Sequence, residues 1–165
     1  MQPLRHRREL VVNDVDERAV VPGVRIGGLH LGMRYQDVRK LLGDGDVVVR
    51  QRLVFARYLD LGVELVLTTP LARTLTPNAR VVSVSVSGGG PWTGTPTLGE
   101  AREHIELALG ASTTVGTRAL YRAGVSVEYD EQGRALAFAV FAPLPDDLWP
   151  PPMLRSVGRE ETSSW

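Results

Sequence analysis

The side chains of this chain that could do chemistry begin with three histidines, His6, His30 and His104. Glu100 precedes His104 by four residues, so on a helix the two side chains share one face. A carboxylate and an imidazole on one face can hold a metal ion, but a zinc site needs at least three protein ligands. No third ligand follows at a recognisable spacing. We therefore expect a solvated helix face here and no metal site.

Paired carboxylates are the second candidate, because one group can act as general acid and its neighbour as general base. Each pair falls in a segment that reads as a turn or a tail, where Asp is favoured because it hydrogen-bonds the local backbone. None has the spacing of a calcium-binding loop. The pairs, all interpreted as turn residues, are Asp14/Asp16, Asp44/Asp46, Asp130/Glu131 and Asp146/Asp147.

Phosphate binding and nucleophilic catalysis have no motif to support them. The run Gly88-Gly89-Gly90 is not followed by Lys and Ser or Thr, and Pro91 has no backbone N–H to offer a phosphate. The chain has no Gly-x-Ser-x-Gly elbow. It also has no cysteine, which removes a thiol nucleophile, a thiolate metal site and disulfides. The sequence predicts a protein that is not an enzyme and has no cofactor.

Composition narrows the class of partner. The formal net charge is zero, with 19 basic and 19 acidic residues, whereas nucleic-acid binding depends on clustered cations that neutralise phosphates. No segment reaches the ~18 apolar residues of a membrane-spanning helix. The basic start, Met1–Glu9, is not followed by the apolar run of a secretion signal. We expect a protein partner, no nucleic acid, no membrane and a cytoplasmic location.

A stretch of thirteen residues that occurs twice organises the elements. Leu31–Gly43 and Leu98–Gly110 lie 67 positions apart, and both begin and end with Leu-Gly. Apolar residues in each follow the spacing of one helical face, and the final Gly suits the left-handed residue after a helix. Thr97 and Glu100 match a capping box at the start of the second helix. A repeat of this kind indicates one supersecondary unit built twice.

Strand patterns follow each predicted helix. Valines alternate with serines over Arg80–Ser87, which predicts a half-buried antiparallel strand. Gly124–Tyr129 matches the strand predicted at Val63–Thr68, and Asp130–Gly133 reads as a hairpin loop into a partner strand at Arg134–Ala142. The alanines of that partner strand allow close approach, most simply by a helix. Both of its faces look buried, so we place it in the middle of a sheet.

The expected fold class is α+β, with two pseudo-repeats that each pack a short helix on antiparallel β-strands. The expected organisation is a polar N-terminal arm at 1–21, a first repeat at 22–90, a second repeat at 91–143 and a Pro-rich flexible tail at 144–165.

Aromatic residues outside the periodic elements are the candidate contact residues. Trp92, Trp149 and Trp165 lie in the joint between the repeats and in the tail, and large aromatics outside a core are enriched at contact hot spots. The alternative is that Trp92 and Trp149 cover the ends of the core. We select Trp92, Tyr58, Tyr121 and Trp149 as the predicted protein-binding residues.

Short motifs carry a resemblance to known families. Leu31-Gly32-Met33, Val38 and Leu41-Leu42-Gly43 resemble the repeat of the small α/β family that includes BamE (SmpA/OmlA)-like lipoproteins and the tandem-repeat β-lactamase inhibitor proteins. Other motifs are similar to uncharacterised bacterial proteins associated with toxin immunity. These are Leu61–Leu65 with Arg80–Val82, and Gly124–Val127 with Tyr129-Asp130. The resemblance implies short helices on an antiparallel sheet and, as in the inhibitor, a target bound across a concave sheet. The lipobox cysteine and the disulfide cysteines of those families are absent.

These observations predict a non-catalytic protein-binding module, in its most specific form an immunity or inhibitor protein that occludes a toxin or enzyme encoded nearby. One alternative is a structural or chaperone-like subunit of a larger bacterial assembly. A second alternative is a small-ligand-binding protein with a cavity between its halves.

Overall fold

The protein is described by a computed structural model over residues 18–50, 53–68, 76–88, 90 and 92–143. These residues form eleven strands and two helices of eight residues each. The strands are β1 (Val20–Val21), β2 (Arg25–Ile26), β3 (Leu29–His30), β4 (Asp46–Arg50), β5 (Leu53–Tyr58), β6 (Val63–Thr68), β7 (Arg80–Val86), β8 (Thr113–Val115), β9 (Arg118–Tyr121), β10 (Val125–Tyr129) and β11 (Ala135–Phe141), and the helices are α1 (Tyr35–Leu42) and α2 (Arg102–Leu109).

Two antiparallel sheets contain these strands. The small sheet has the order β1-β2-β3, and the large sheet has the order β4-β5-β6-β7-β11-β10-β9-β8. Two consecutive runs of four strands therefore meet at the centre, where β7 pairs with β11 and Val84 lies opposite Val140. The predicted strand at Arg134–Ala142 does lie in the middle of a sheet, as expected from its two buried faces.

The predicted fold class, α+β with two helix-on-strand pseudo-repeats, is wrong, because the protein is mostly β. Each helix has only eight residues, and continuous strand pairing across both parts of the chain organises the fold. Local periodicity in the sequence indicates the type of a single element and the face of it that is buried. It does not encode which distant strands pair.

Both predicted helices are present but begin later than the repeated stretch. Each ends at a glycine with positive φ, Gly43 at 78° and Gly110 at 86°, as the sequence predicts. The capping box is wrong, because the N-cap of α2 is Ala101 and makes no side-chain cap. Glu100 still accepts a hydrogen bond from the backbone N–H of Thr97 at 3.2 Å. That contact closes a turn before the helix.

The main core lies on one face of the large sheet, called here the helix face. The Tyr58 hydroxyl donates to the carbonyl oxygen of Gly43 at the end of α1, at 2.9 Å. The Arg102 guanidinium of α2 lies over the Tyr129 ring, 5.2 Å from its centroid. Both helices therefore pack on this face. The small sheet adds Val20, Ile26 and Leu29 to the same core.

A β-bulge changes the predicted faces of β11. Alternation along that strand puts Leu136 with Phe138 and Val140, and Ala135 on the other face. The pairing with β10 shifts register between Glu128 and Tyr129, so Ala135 joins the core and Leu136 is exposed. An extra residue in one strand reverses the alternation beyond it.

The small sheet contacts the large one through two glycines. Gly124, in the turn between β9 and β10, has φ +89°, and a Cβ there would overlap the carbonyl oxygen of Phe141. It would also lie 2.8 Å from the Cα of Gly23, in the turn between β1 and β2. The Phe141 N–H donates to the Gly124 carbonyl at 2.9 Å. This close backbone approach requires glycine on both sides.

No helix within the described residues is long and apolar enough to cross a membrane. The predicted tail at 144–165 and most of the predicted arm, residues 1–17, lie outside the described residues. The four predicted domain ranges stay predictions.

Two core tyrosines are held in their neutral form. Burial, and then the contact with Tyr35, raises the pKa of Tyr58 far above its ordinary value of 10. Burial likewise raises the pKa of Tyr129, with a further contribution from its hydroxyl contact to Tyr121 at 2.6 Å. Desolvation disfavours the phenolate, so each ring loses its proton more readily in the unfolded chain.

These tyrosines should make stability fall at alkaline pH. Below about pH 10 a tyrosine is protonated in both states, whereas above it the unfolded chain releases a proton that the folded chain keeps. Each such group should remove up to about 1.4 kcal/mol per pH unit as the pH rises above 10. Urea unfolding at pH 9, 10 and 11 should show that the free energy of unfolding falls less steeply with pH for Tyr58→Phe than for wild type. Equal slopes in the two proteins would contradict the assignment.

Candidate functional site

The face of the large sheet opposite the helices, called here the outer face, carries small side chains at its centre. They come from β7, β11 and β10, and they are called here the floor. Cross-strand pairing places Ser85 opposite Ala139, and Ala139 opposite Ser126. Three adjacent strands span about 10 Å. The floor consists of Ser83, Ser85, Ser126, Ala137 and Ala139.

The floor exists because alternation on three strands brings short side chains to the same face. On β7 the serines alternate with the core valines Val84 and Val86. On β11, Ala137 and Ala139 alternate with Phe138 and Val140, which belong to the core. Because successive side chains on a strand point to opposite faces, large residues on the helix face leave the small ones outside.

Charged residues flank the floor on both sides. On one side Arg57 of β5 lies opposite Glu64 of β6, and the Arg57 Nε donates to a Glu64 carboxylate oxygen at 2.6 Å. On the other side Arg118 of β9 lies opposite Glu128 of β10. Each flank thus carries one arginine and one glutamate at paired positions. The flanks therefore offer charged groups of both signs beside the floor, and their charges cancel.

A second apolar patch lies on the outer face, separate from the main core. Its side chains are buried although both helices pack on the opposite face. Leu120 retains only 1% of its accessible surface, and its cross-strand neighbour Ser126 retains 3%. Among the described residues, Ser126 is the one polar residue that is buried. The buried apolar residues outside the core cluster are Val66, Leu120, Ala139 and Phe141.

A shallow depression opens over the floor between β7 and β9. Its volume is about 210 Å³, which includes space open to solvent. Its lining residues are Ser85, Arg118, Ser126, Glu128, Ala137, Phe138 and Ala139. A serine becomes a nucleophile when a neighbouring base accepts its proton. No histidine or lysine lines this depression, so the arrangement favours contact with a ligand over covalent chemistry.

Three of the four predicted contact residues lie in the core. Tyr58, Tyr121 and Trp92 are buried members of the core cluster, and Trp92 Nε1 donates to the Gly88 carbonyl at 3.4 Å. Trp149 lies outside the described residues. The structure leaves none of the three described residues on an accessible surface. Their protein-binding role stays a prediction, and their placement gives it no support.

The Glu100 and His104 side chains do meet, but the predicted shared helix face is wrong, because Glu100 lies before the N-cap of α2. Glu100 Oε2 lies 2.5 Å from His104 Nδ1 and also accepts from the Thr95 hydroxyl at 3.3 Å. Its other oxygen accepts from the Thr97 N–H. The carboxylate therefore holds the turn that leads into α2. No group of three metal-binding side chains occurs within the described residues.

The floor is the feature that sequence reasoning missed as a site. The sequence predicts a half-buried strand for β7 and a contact with a helix for the alanines of β11. The described helices pack on the other face, so that helix contact is wrong. The signal was two central strands with small residues at alternate positions. Only the pairing register of β7 with β11 shows that the small residues of these two strands are neighbours.

Comparisons with known proteins find likeness only among solved structures. No protein-family model matches the chain, and the search of curated proteins finds no match. One solved structure is described as an extracellular protein containing a SCP domain from Bacillus anthracis. It is 11% identical with a TM-score of 0.48, and the match covers 68% of this chain and 44% of that chain. Another is described as a cysteine-rich secretory protein from Staphylococcus aureus. It is 15% identical with a TM-score of 0.51, and the match covers 73% of this chain and 48% of that chain.

These findings correct the family suggested by the sequence motifs. The resemblance to BamE-like and β-lactamase-inhibitor proteins and the immunity-protein assignment are wrong, because the similar solved structures are SCP-domain and cysteine-rich secretory proteins. The shared motifs were short and apolar, and such motifs recur wherever a strand or helix is buried. The chain spans less than half the length of either solved structure. It is therefore similar in fold to part of the Staphylococcus aureus protein.

Proposed function

We propose that the protein is a non-catalytic protein-binding module whose binding surface is the floor on the outer face. The observation that carries this proposal is the convergence of five small side chains at the centre of an eight-stranded sheet. Small residues let a partner approach the backbone closely. Interfaces commonly combine an apolar centre with a polar rim.

The chemistry of the depression specifies the partner's contact segment. The depression is shallow and has room for only part of an apolar side chain, which can pack on Ala137 and Ala139. Glu128 and Arg118 at the rim favour a cation and an anion beside that side chain. We propose a partner protein that presents one apolar anchor flanked by charged residues.

Two other functions fit the depression less well. Small-molecule sites enclose about 300–1,000 Å³ and bury most of the ligand, whereas this depression is shallow and smaller. A catalytic role would need a base beside Ser85 or Ser126, and the lining residues supply only Glu128 as a candidate. A structural subunit of a larger assembly remains an alternative. It would use the same surface toward several partners.

The place where the protein acts stays a prediction. The sequence predicts a cytoplasmic location, while the solved structures are described as an extracellular and a secretory protein. At 11–15% identity those descriptions do not carry over to this chain. Fractionation of the native host into cytoplasm, envelope and medium, with detection by antibody, would locate both the protein and its partner.

Quantitative affinity capture with matched variants tests the proposed surface. Ala137→Arg fills the half-buried floor, and Leu107→Arg places the same side chain at an exposed position of α2 on the other side of the sheet. Wild type and Leu107→Arg should capture the same stoichiometric protein, and Ala137→Arg should capture at least about tenfold less, a difference of ~1.4 kcal/mol. Thermal unfolding must show that both variants are folded. Equal capture by all three proteins, or loss only with Leu107→Arg, would overturn the proposal.

A further inference from the structure

The two ends of the large sheet are built differently. β8, at one end, has three residues, and Ser112 just before it accepts a hydrogen bond from Arg102 of α2 at 3.2 Å. β4, at the other end, has five residues, Asp-Val-Val-Val-Arg, and pairs with β5 without a register shift. No described strand pairs with its outer edge. Proteins protect such edges with very short strands, charged side chains, proline or bulges. In β4 the charged residues stand only at the two ends, and the three central residues are valines.

The outer edge of β4 presents a defined set of backbone groups. Arg50 pairs with Leu53 across two intervening residues, and the closing pair of such a hairpin exchanges both N–H···O bonds. Bonded and non-bonded pairs alternate, so the N–H and C=O groups of Val47 and Val49 point away from β5. Their side chains are also 43% and 41% exposed. Within the described part of the chain, this edge combines hydrogen-bonding groups that no strand pairs with accessible apolar surface.

We propose that β4 pairs antiparallel with β4 of a second copy of this chain, centred on Val48. In that register Val47 lies opposite Val49 of the second copy, so the outward backbone groups of both strands bond each other. Asp46 lies opposite Arg50 of the second copy, and the same pair forms again at the other end. The five-residue sequence is thus charge-complementary to itself in the one register that pairs all five residues.

The neighbouring strands extend this complementarity. Within one chain Asp46 of β4 lies opposite Arg57 of β5, and Arg57 lies opposite Glu64 of β6. The second copy adds Arg50 at the position paired with Asp46, so residues of alternating charge stand at paired positions on four adjacent strands. Opposite charges at directly paired positions stabilise a sheet, and like charges destabilise it. A two-fold axis normal to the sheet keeps both outer faces on the same side, so the dimer presents two depressions together.

Complementary charge variants test this register. Arg50→Asp alone gives Asp opposite Asp at both ends of a homodimer, and Asp46→Arg alone gives Arg opposite Arg. In a mixture, both ends of the heterodimer again carry opposite charges. Sedimentation equilibrium of the full chain should show concentration-dependent dimers for wild type. The dimer dissociation constant should rise at least about tenfold for each variant alone, and return toward the wild-type value in the 1:1 mixture.

A lysine substitution provides an independent variant. Val49→Lys places a charge at the exposed edge and should make the protein monomeric. Leu136→Lys, at a position that is also exposed but lies away from the edge, should dimerise as wild type does. Circular dichroism confirms that each variant is folded. A wild type that stays monomeric at several hundred micromolar (~500 µM, near the limit for weak association), or a mixture no more dimeric than its components, would overturn the proposal. The test does not depend on the partner proposed above.

Discussion

Gly124→Ala is expected to abolish the native fold. A Cβ at residue 124 would overlap the carbonyl oxygen of Phe141 and lie 2.8 Å from the Cα of Gly23, and φ is +89°. Both contacts are with backbone, so no side-chain rotation relieves them, and the small sheet would have to leave the large one. We expect a loss of more than about 4 kcal/mol, in the range that marks disruption of a specific structural feature. Urea unfolding followed by circular dichroism measures it.

Gly133→Ala is the matched control for this prediction. Gly133 also has a positive φ, +73°, but a Cβ there meets nothing within 4 Å. Gly133→Ala should lower the free energy of unfolding by about 1–2 kcal/mol, because only the left-handed backbone conformation disfavours alanine there. The comparison separates the steric overlap at residue 124 from the backbone preference that both positions share. Similar losses for the two variants would mean that the sheets do not meet at Gly124 as described.

Tyr121→Ala should be the second most damaging substitution. The Tyr121 side chain is fully buried, and its hydroxyl lies 2.6 Å from that of Tyr129. Truncating a buried aromatic residue to alanine typically costs about 3–5 kcal/mol, because it removes apolar contact and leaves a cavity. Tyr121→Phe keeps the ring and removes only the hydroxyl contact, so it should cost about 1 kcal/mol. Urea unfolding of the three proteins gives both values.

This pair of variants also decides between two roles for Tyr121. Truncation of a core residue lowers the free energy of unfolding of the protein. Truncation of a surface contact residue weakens partner binding and leaves the free energy of unfolding unchanged. The structure predicts the first result. If Tyr121→Ala unfolded at the same urea concentration as wild type while partner capture was lost, the sequence-based contact role would be supported and the core placement contradicted.

Most single elements could be predicted from the sequence. The valine and serine alternation of β7 and the apolar stripes of α1 and α2 are local signals, and each reports which face of an element is buried. The fold class could not be predicted in the same way. It depends on the pairing of β7 with β11, and the energy of that pairing is spread over backbone hydrogen bonds that every residue except proline can make.

The candidate site was the least accessible to sequence reasoning. Trp92 lies beside a glycine-rich joint, which suggested an exposed contact, but such a joint also allows the chain to turn its aromatic side chain back into the core. The floor needs Ser85, Ala139 and Ser126 to be neighbours, although they are far apart in sequence. Each of them is unremarkable alone. Only the register of β7, β11 and β10 makes them neighbours.

Site-specific photo-cross-linking in the native host is the most direct test of binding at the floor. A photo-reactive amino acid at residue 137 would lie on the outer face, and the same group at residue 107 would lie on exposed α2. Irradiation should give one adduct of defined mass from position 137 and none from position 107, and the adduct should disappear when residue 118 or 128 carries the opposite charge. An adduct from position 107 alone, or none from position 137, would contradict binding at this surface.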